Sequence, residues 1–147
     1  SQNLRSADRA ALRSQTRDYE YRLTEPGNVF IEAAGMQISF AEIPQAQLPD
    51  LNLSGNRIAF FDMDRITFPL VIRNFRPGDR FSPLGLNGRQ KLKKFFIDHK
   101  ISRRERAKCP LVLSQNRIIW VAGHRLDNCA KLSPQTRRVL KAELLLA

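Results

Sequence analysis

Three groups of cations crowd one stretch of this chain, residues 73–106. Arg73, Arg76 and Arg80 bracket the dipeptide Pro77-Gly78, which reads as a tight reversal. Lys91, Lys93 and Lys94 follow, then Arg103, Arg104 and Arg106, with Arg125 further on. An arginine presents a planar fork of donors matched to phosphate, and a lysine presents a point charge. Any one of these side chains alone is an ordinary solvated charge. Three groups in close succession are better explained as a surface that grips phosphates and sugars without reading bases. Asp79 and Asp127 sit inside these basic surroundings, the place for carboxylates that orient neighbouring arginines. Among the aromatics, Phe95 and Phe96 fit a core. Phe75 and Phe81 are assigned there too, with base stacking as their other available role.

Other chemistries are poorly served. There is no G-x-x-x-x-G-K-S/T loop and no G-x-G-x-x-G fingerprint. Gly85-Leu86-Asn87-Gly88 could hold a phosphate at a helix start, but two glycines are equally explained by turn geometry. Asp62-Met63-Asp64 offers two acids that read as a turn. Cys129 and His124 lie five apart in a loop, and Ser102 is occupied as a helix cap, so no nucleophile stands beside a base. His99 and His124 are too few and too scattered for zinc, and Cys109 and Cys129 are isolated. No catalytic, cofactor-binding or metal site is expected. The isolated cysteines read as small buried residues of a reduced, cytoplasmic protein.

Charge is distributed unevenly. Residues 1–65 hold seven arginines against nine acids, a net of −2. The whole chain has 25 basic and 14 acidic residues, so residues 66–147 hold 18 against 5, a net of +13. Such a half-chain repels itself on folding, and a polyanionic partner is the natural compensation. Nucleic acid fits better than a membrane surface, because no helix pairs a basic face with a clean apolar one. No apolar run approaches membrane-spanning length, and no signal peptide or anchor is expected. The first residue is Ser1, which is consistent with a fragment.

The elements that must position these residues make an α+β fold of antiparallel strands with two short helices. A weak helix is expected over residues 4–18 and a turn at residues 25–28. Residues 29–31 and 36–40 read as hairpin strands joined through Gly35, and residues 44–56 read as a loop. Two more strands fit residues 57–61 and 68–73. A helix is expected from near Gly88, with Asn87 and Gln90 as its capping box. Its core face carries Leu92, Phe95, Phe96 and His99, leaving Ile97 without a role. Ser102 and Glu105 cap a second helix, which Pro110 must end. A hairpin follows at residues 111–113 and 118–121. Residues 137–146 suit a strand by alternation, and Leu140 and Leu144 also suit a helix. The division expected is a connecting segment at 1–65, ending a preceding domain with a short helix and hairpin, and a basic domain at 66–147.

Three ordered blocks resemble a known family. Arg73-Asn74-Phe75-Arg76-Pro77-Gly78-Asp79-Arg80-Phe81 with Pro83-Leu84-Gly85 is similar to the R-x-x-x-P-G-D-R-x-x-P-x-G motif of bacterial tRNA(Ile)-lysidine synthetases. Lys91 to Asp98, then Ile101, Arg106 and Pro110-Leu111-Val112, resembles that family's next block. Trp120-Val121-Ala122-Gly123-His124-Arg125-Leu126-Asp127 resembles its W-V-x-G-x-R-x-D segment. The resemblance covers residues 66–147 in strong motifs and residues 19–65 loosely.

It implies a fold like the last domain of those enzymes, related to part of the phenylalanyl-tRNA synthetase β chain. It implies a parent that uses ATP, with magnesium, to adenylate the wobble cytidine of the CAU-anticodon isoleucine tRNA. The ε-amine of lysine then displaces AMP to form lysidine. That chemistry needs an S-G-G-x-D-S loop in an N-terminal ATP-pyrophosphatase domain, and the loop is absent here. What the resemblance carries over is tRNA binding, with the acceptor stem as the region. The residues matching its motifs are Arg73, Arg76, Asp79, Arg80, Lys91, Lys94, Arg106 and Arg125. A homodimer of the parent is also allowed by it. A stand-alone RNA-binding module of ribosomal or synthetase-appendage type is the alternative reading.

Overall fold

The computed structural model describes residues 17–48 and 56–146. The helix expected at 4–18 lies outside them, except for Arg17 and Asp18, which are not helical. The strands are β1 (Glu20–Leu23), β2 (Asn28–Ile31), β3 (Met36–Ile43), β4 (Ile58–Asp62), β5 (Leu70–Arg73), β6 (Arg80–Phe81) and β7 (Gln90–Lys91). Two helices follow, α1 (Leu92–Asp98) and α2 (Arg103–Lys108). Then come β8 (Leu111–Ser114), β9 (Arg117–Val121), β10 (Arg125–Leu126) and β11 (Val139–Leu146). Residues 137–146 are thus resolved in favour of the strand.

The strands form two antiparallel sheets and one short ribbon. The first sheet runs β1-β5-β8-β9-β10, the second runs β2-β3-β11-β4, and β6 pairs with β7 alone. Alternation along β5 sorts the layers. Leu70 and Ile72 join the core that includes Ile38, Phe40, Phe61 and Leu140 of the second sheet, while Val71 packs on the opposite side. β8 does the same: Val112 faces the second sheet, and Leu111 and Leu113 face Leu92, Phe95 and Phe96 of α1. Trp120 meets Phe61 edge to face between the sheets, with ring centroids 6.0 Å apart. The result is three layers: second sheet, first sheet, then the helices with the ribbon.

The boundary expected at residue 65 runs through both sheets. β1 pairs with β5, and β11 lies between β3 and β4. Side chains from Tyr19 to Phe61 share one core with Ile66, Trp120 and Leu144. Buried apolar positions of residues 19–61 pack in this core, so the hairpin is part of this fold and not only a connection to it.

The first helix is also shorter than the capping pattern implied. Its N-cap is Lys91, which makes no side-chain cap bond. Gln90 and Lys91 instead pair with Phe81 and Arg80, and the Leu92 amide donates to the Asp79 carbonyl at 2.9 Å. The ribbon uses these backbone groups before a helix can form. Ser102 does cap α2, accepting from the Glu105 amide at 3.1 Å.

Candidate nucleic-acid interface

The basic turn is built around one carboxylate. Arg73 ends β5 with its side chain on the helix-covered face of the first sheet, where it is 8 % exposed. Its guanidinium donates to both oxygens of Asp79, at 2.9 and 2.8 Å, and to the Asn74 carbonyl at 3.0 Å. Asp79 also accepts from the Arg76 amide at 2.8 Å, while its own amide donates to the Arg76 carbonyl at 3.1 Å. Gly78 lies between them at φ 92°, a left-handed conformation that glycine takes without a Cβ penalty. Arg73, counted from sequence among the RNA-gripping cations, is therefore committed inward. Its fork serves the turn.

Asn74 fixes where the chain enters this turn. Its side-chain oxygen accepts from the Tyr19 amide at 3.1 Å, and its amide donates to the Ala107 carbonyl at 3.2 Å. The Tyr19 hydroxyl donates to the Lys108 carbonyl at 2.8 Å. Arg76, exposed, pairs with Glu20 at 2.7 Å. Being solvent-accessible, that pair is worth little and leaves Arg76 available to a stronger anion.

Outside the turn the cations are displayed. Arg80 and Lys91 stand directly opposite one another across the ribbon, and both are exposed. On α1, Leu92, Phe95 and Phe96 are buried, while Lys93 and Lys94 face water. Arg103 and Arg104 are exposed on α2. Half-buried Arg106 anchors its Nε on the Ile101 carbonyl at 2.8 Å. Arg125 lies 5.9 Å from the centre of the Phe95 ring, a cation–π distance, and donates to the Leu84 carbonyl at 3.2 Å. Among the described residues, no carboxylate comes within 4 Å of Arg80, Lys91, Lys94, Arg103, Arg104, Arg106 or Arg125.

The other acid, Asp127, serves loops as well as an arginine. Asp127 is fully buried and accepts from the Ser82 and Cys129 amides at 2.7 and 2.8 Å. Among the described residues its one cation within 4 Å is exposed Arg117, at 3.5 Å, so it holds loops and meets Arg117, not Arg125. Asp62 likewise serves a turn: it accepts from the Asp64 amide at 3.0 Å and from the Thr136 hydroxyl at 2.9 Å. The Gly85 amide, 3.4 Å from the Asn128 side chain, belongs to a loop well before α1, which removes the helix-start phosphate site. No group of three His, Cys, Asp or Glu gathers as a metal set among the described residues.

Burial governs the perturbed titrations. It pushes the Cys109 thiol up to about 12. Burial, then hydrogen bonding to Asp127, pushes Cys129 up to about 12 as well. Burial lowers His124, with Glu105 opposing and His99 reinforcing the shift.

Sequence reasoning missed a cleft of about 280 Å³ between the turn and α1. Phe75 and Phe96, edge to face at 5.8 Å, line it with Asp79, Lys91, Lys93 and Arg106. The signal available was Phe75 set within the arginine turn.

The comparisons with known proteins agree with one another. The family model described as TilS substrate C-terminal domain matches residues 70–142. A tRNA(Ile)-lysidine synthase from Caldanaerobacter subterraneus is 42 % identical over 118 residues, covering 80 % of this chain and 25 % of that protein. One from Dehalococcoides mccartyi is 38 % identical over 127 residues, covering 86 % of this chain and 26 % of its own. The chain thus spans about a quarter of the length of the curated relatives it matches. A crystal structure of a TILS C-terminal domain superposes with a TM-score of 0.77 at 27 % identity, covering 88 % of this chain and 98 % of that one. An N-terminal fragment of the phenylalanyl-tRNA synthetase β-subunit from Pyrococcus horikoshii shares the fold, with a TM-score of 0.50 at 17 % identity over 61 % of this chain and 28 % of its own. Three ordered motifs, the layered fold that carries them and these matches place the chain in the TilS substrate C-terminal domain family.

Proposed function

We propose that this domain grips tRNA for a lysidine-forming ligase. The observation that carries the reading is the set of outward cations that have no carboxylate within 4 Å among the described residues, above all Arg80 opposite Lys91. Like charges directly opposite across a ladder are destabilising, and a bound polyanion removes that cost. Arg76, Lys94, Arg103 and Arg104 extend the same charge, and Arg125 is steadied over Phe95. Contacts of this kind position a backbone without reading its sequence. The acceptor stem of the CAU-anticodon isoleucine tRNA is the segment we assign to them. Adenylation with ATP and magnesium, and attack by lysine, belong in this reading to a separate N-terminal ATP-pyrophosphatase domain. The greater length of the relatives supports that division over a stand-alone RNA-binding module.

A salt titration of tRNA binding tests the grip. Log affinity should fall linearly with log salt, by a slope of about −0.7 to −0.9 per phosphate neutralised. The same preparation should neither hydrolyse ATP nor transfer labelled lysine to isoleucine tRNA. An affinity indifferent to salt would remove the reading, and turnover by the purified chain would remove the division of labour.

A further inference from the structure

We infer that the cleft between the basic turn and α1 holds one unpaired RNA nucleotide, its base against Phe75 and its phosphate among Lys91, Lys93 and Arg106. The inference rests on the reading that the domain grips RNA, and adds to it a site where a base, not only a backbone, is held. The cleft is about 280 Å³, just below the range of about 300–1,000 Å³ typical of sites for drug-sized ligands, and so fits a single small planar group.

Its lining has two chemistries. Phe75 is half-buried, its inner side packed edge to face on the fully buried Phe96, so part of the ring remains open to the cleft. Around it stand Lys91 and Lys93, both exposed, and Arg106. Anchoring Nε on the Ile101 carbonyl fixes the plane of Arg106 and leaves its terminal nitrogens without a carboxylate among the described residues. The one acid in the lining, Asp79, is already spent on Arg73 and on the Arg76 amide. Its charge is therefore offset by the Arg73 guanidinium. At Gly78 a Cβ would meet nothing within 4 Å, so the turn leaves open space beside the cleft.

An aromatic ring with three cations around it, none with a carboxylate within 4 Å among the described residues, suits a planar base that carries a phosphate. Bases stack on aromatic side chains with little regard to sequence, which makes such a site tolerant of which base enters. Base-paired RNA keeps its bases stacked in the helix, so the occupant must be unpaired. Phe75 then acts beside Lys91, Lys93 and Arg106, which sequence alone had grouped for phosphate contacts.

The test uses the 147-residue chain and three labelled RNAs at low salt: a single-stranded oligoadenylate, an abasic strand with the same number of phosphates, and a blunt-ended hairpin closed by a non-nucleotide linker. The oligoadenylate should bind about tenfold more tightly than the abasic strand. Phe75→Leu, which keeps an apolar contact on Phe96, should erase that preference while hairpin binding stays unchanged. Ultraviolet cross-linking of a strand carrying 4-thiouridine, mapped by mass spectrometry, needs no variant and should mark peptides spanning residues 73–80 or 90–96. Equal affinity for the two strands, with hairpin binding intact, overturns the nucleotide site and spares the RNA grip. Failure to bind any of the three overturns both. Displacement of the oligoadenylate by free AMP at equal nucleotide concentration assigns the cleft to mononucleotides and overturns the RNA-borne occupant. Cross-links confined to other peptides also overturn it.

Discussion

Arg73 and Asp79 meet through two hydrogen bonds, 2.9 and 2.8 Å long, with both side chains almost wholly withdrawn from water. Removing one partner of such a pair leaves a buried charge uncompensated. Asp79→Ala should therefore cost about 3–5 kcal/mol of stability. The double change Arg73→Met with Asp79→Leu should recover most of that loss, because an apolar pair of similar size needs no desolvation. Chemical denaturation of the single and double variants decides it. A cost under about 1 kcal/mol for Asp79→Ala would class the pair with surface ion pairs.

Phe95 and Lys94 are neighbours on α1 with opposite duties. Phe95, 1 % exposed, packs on Phe81 with centroids 5.2 Å apart, so Phe95→Ala should cost about 3–5 kcal/mol. Lys94 faces water, and Lys94→Ala should move stability by about 0.5 kcal/mol or less. Its effect should fall on RNA: weaker binding to all tRNAs alike, with a salt slope shallower by about one contact. Melting both variants and titrating each with cognate and non-cognate tRNA separates the roles. An unfolded Lys94 variant beside a stable Phe95 variant would invert the assignment.

Much of this was legible in the sequence, and the failures have physical causes. Alternation of Leu140, Ala142 and Leu144 marked the buried face of β11 because a strand's side-chain period is two. The periodicity of Leu92, Phe95 and Phe96 marked the core face of α1 in the same way. The start of α1 was misread because Asn87 and Gln90 carry a capping pattern, while Gln90 is bonded to Phe81 through a pairing no local window reveals. The buried pairing of Arg73 was hidden for a related reason. Its strand is next to the turn in sequence, but its side chain points under that turn. A charge count cannot separate an arginine that holds a fold from one that faces a ligand.

His124 should make stability depend on pH. Burial lowers its proton affinity below the ordinary value of 6.5, so the folded state binds that proton less readily than the unfolded chain. The contribution is intact above the ordinary value, is lost as pH falls from there toward the folded value, and is constant below it. His124→Gln should lack this component. Denaturation midpoints of both proteins between pH 7.5 and 5 would show it as a gap that changes with pH. Parallel curves would mean that His124 is solvated.

The thiols should be inert at neutral pH. With both pushed up to about 12, each is ionised to only about one part in 10⁵ at pH 7. Iodoacetamide should modify neither Cys109 nor Cys129 at the rate of free cysteine until denaturant is added. Mass spectrometry of a timed reaction reads this directly, and rapid labelling of Cys129 in native buffer would contradict the burial described.

The placement of β11 between β3 and β4 has a consequence for biosynthesis. Synthesis delivers the chain amino end first, so the hairpin of β2 with β3, and the strand β4, leave the ribosome well before residues 139–146. Until those residues emerge, β3 and β4 each have an unsatisfied edge, and the layer behind the basic turn stays open. A product terminated before Val139 has the arginines and lysines but lacks the sheet behind them. Such a product should be a ready substrate for proteolysis.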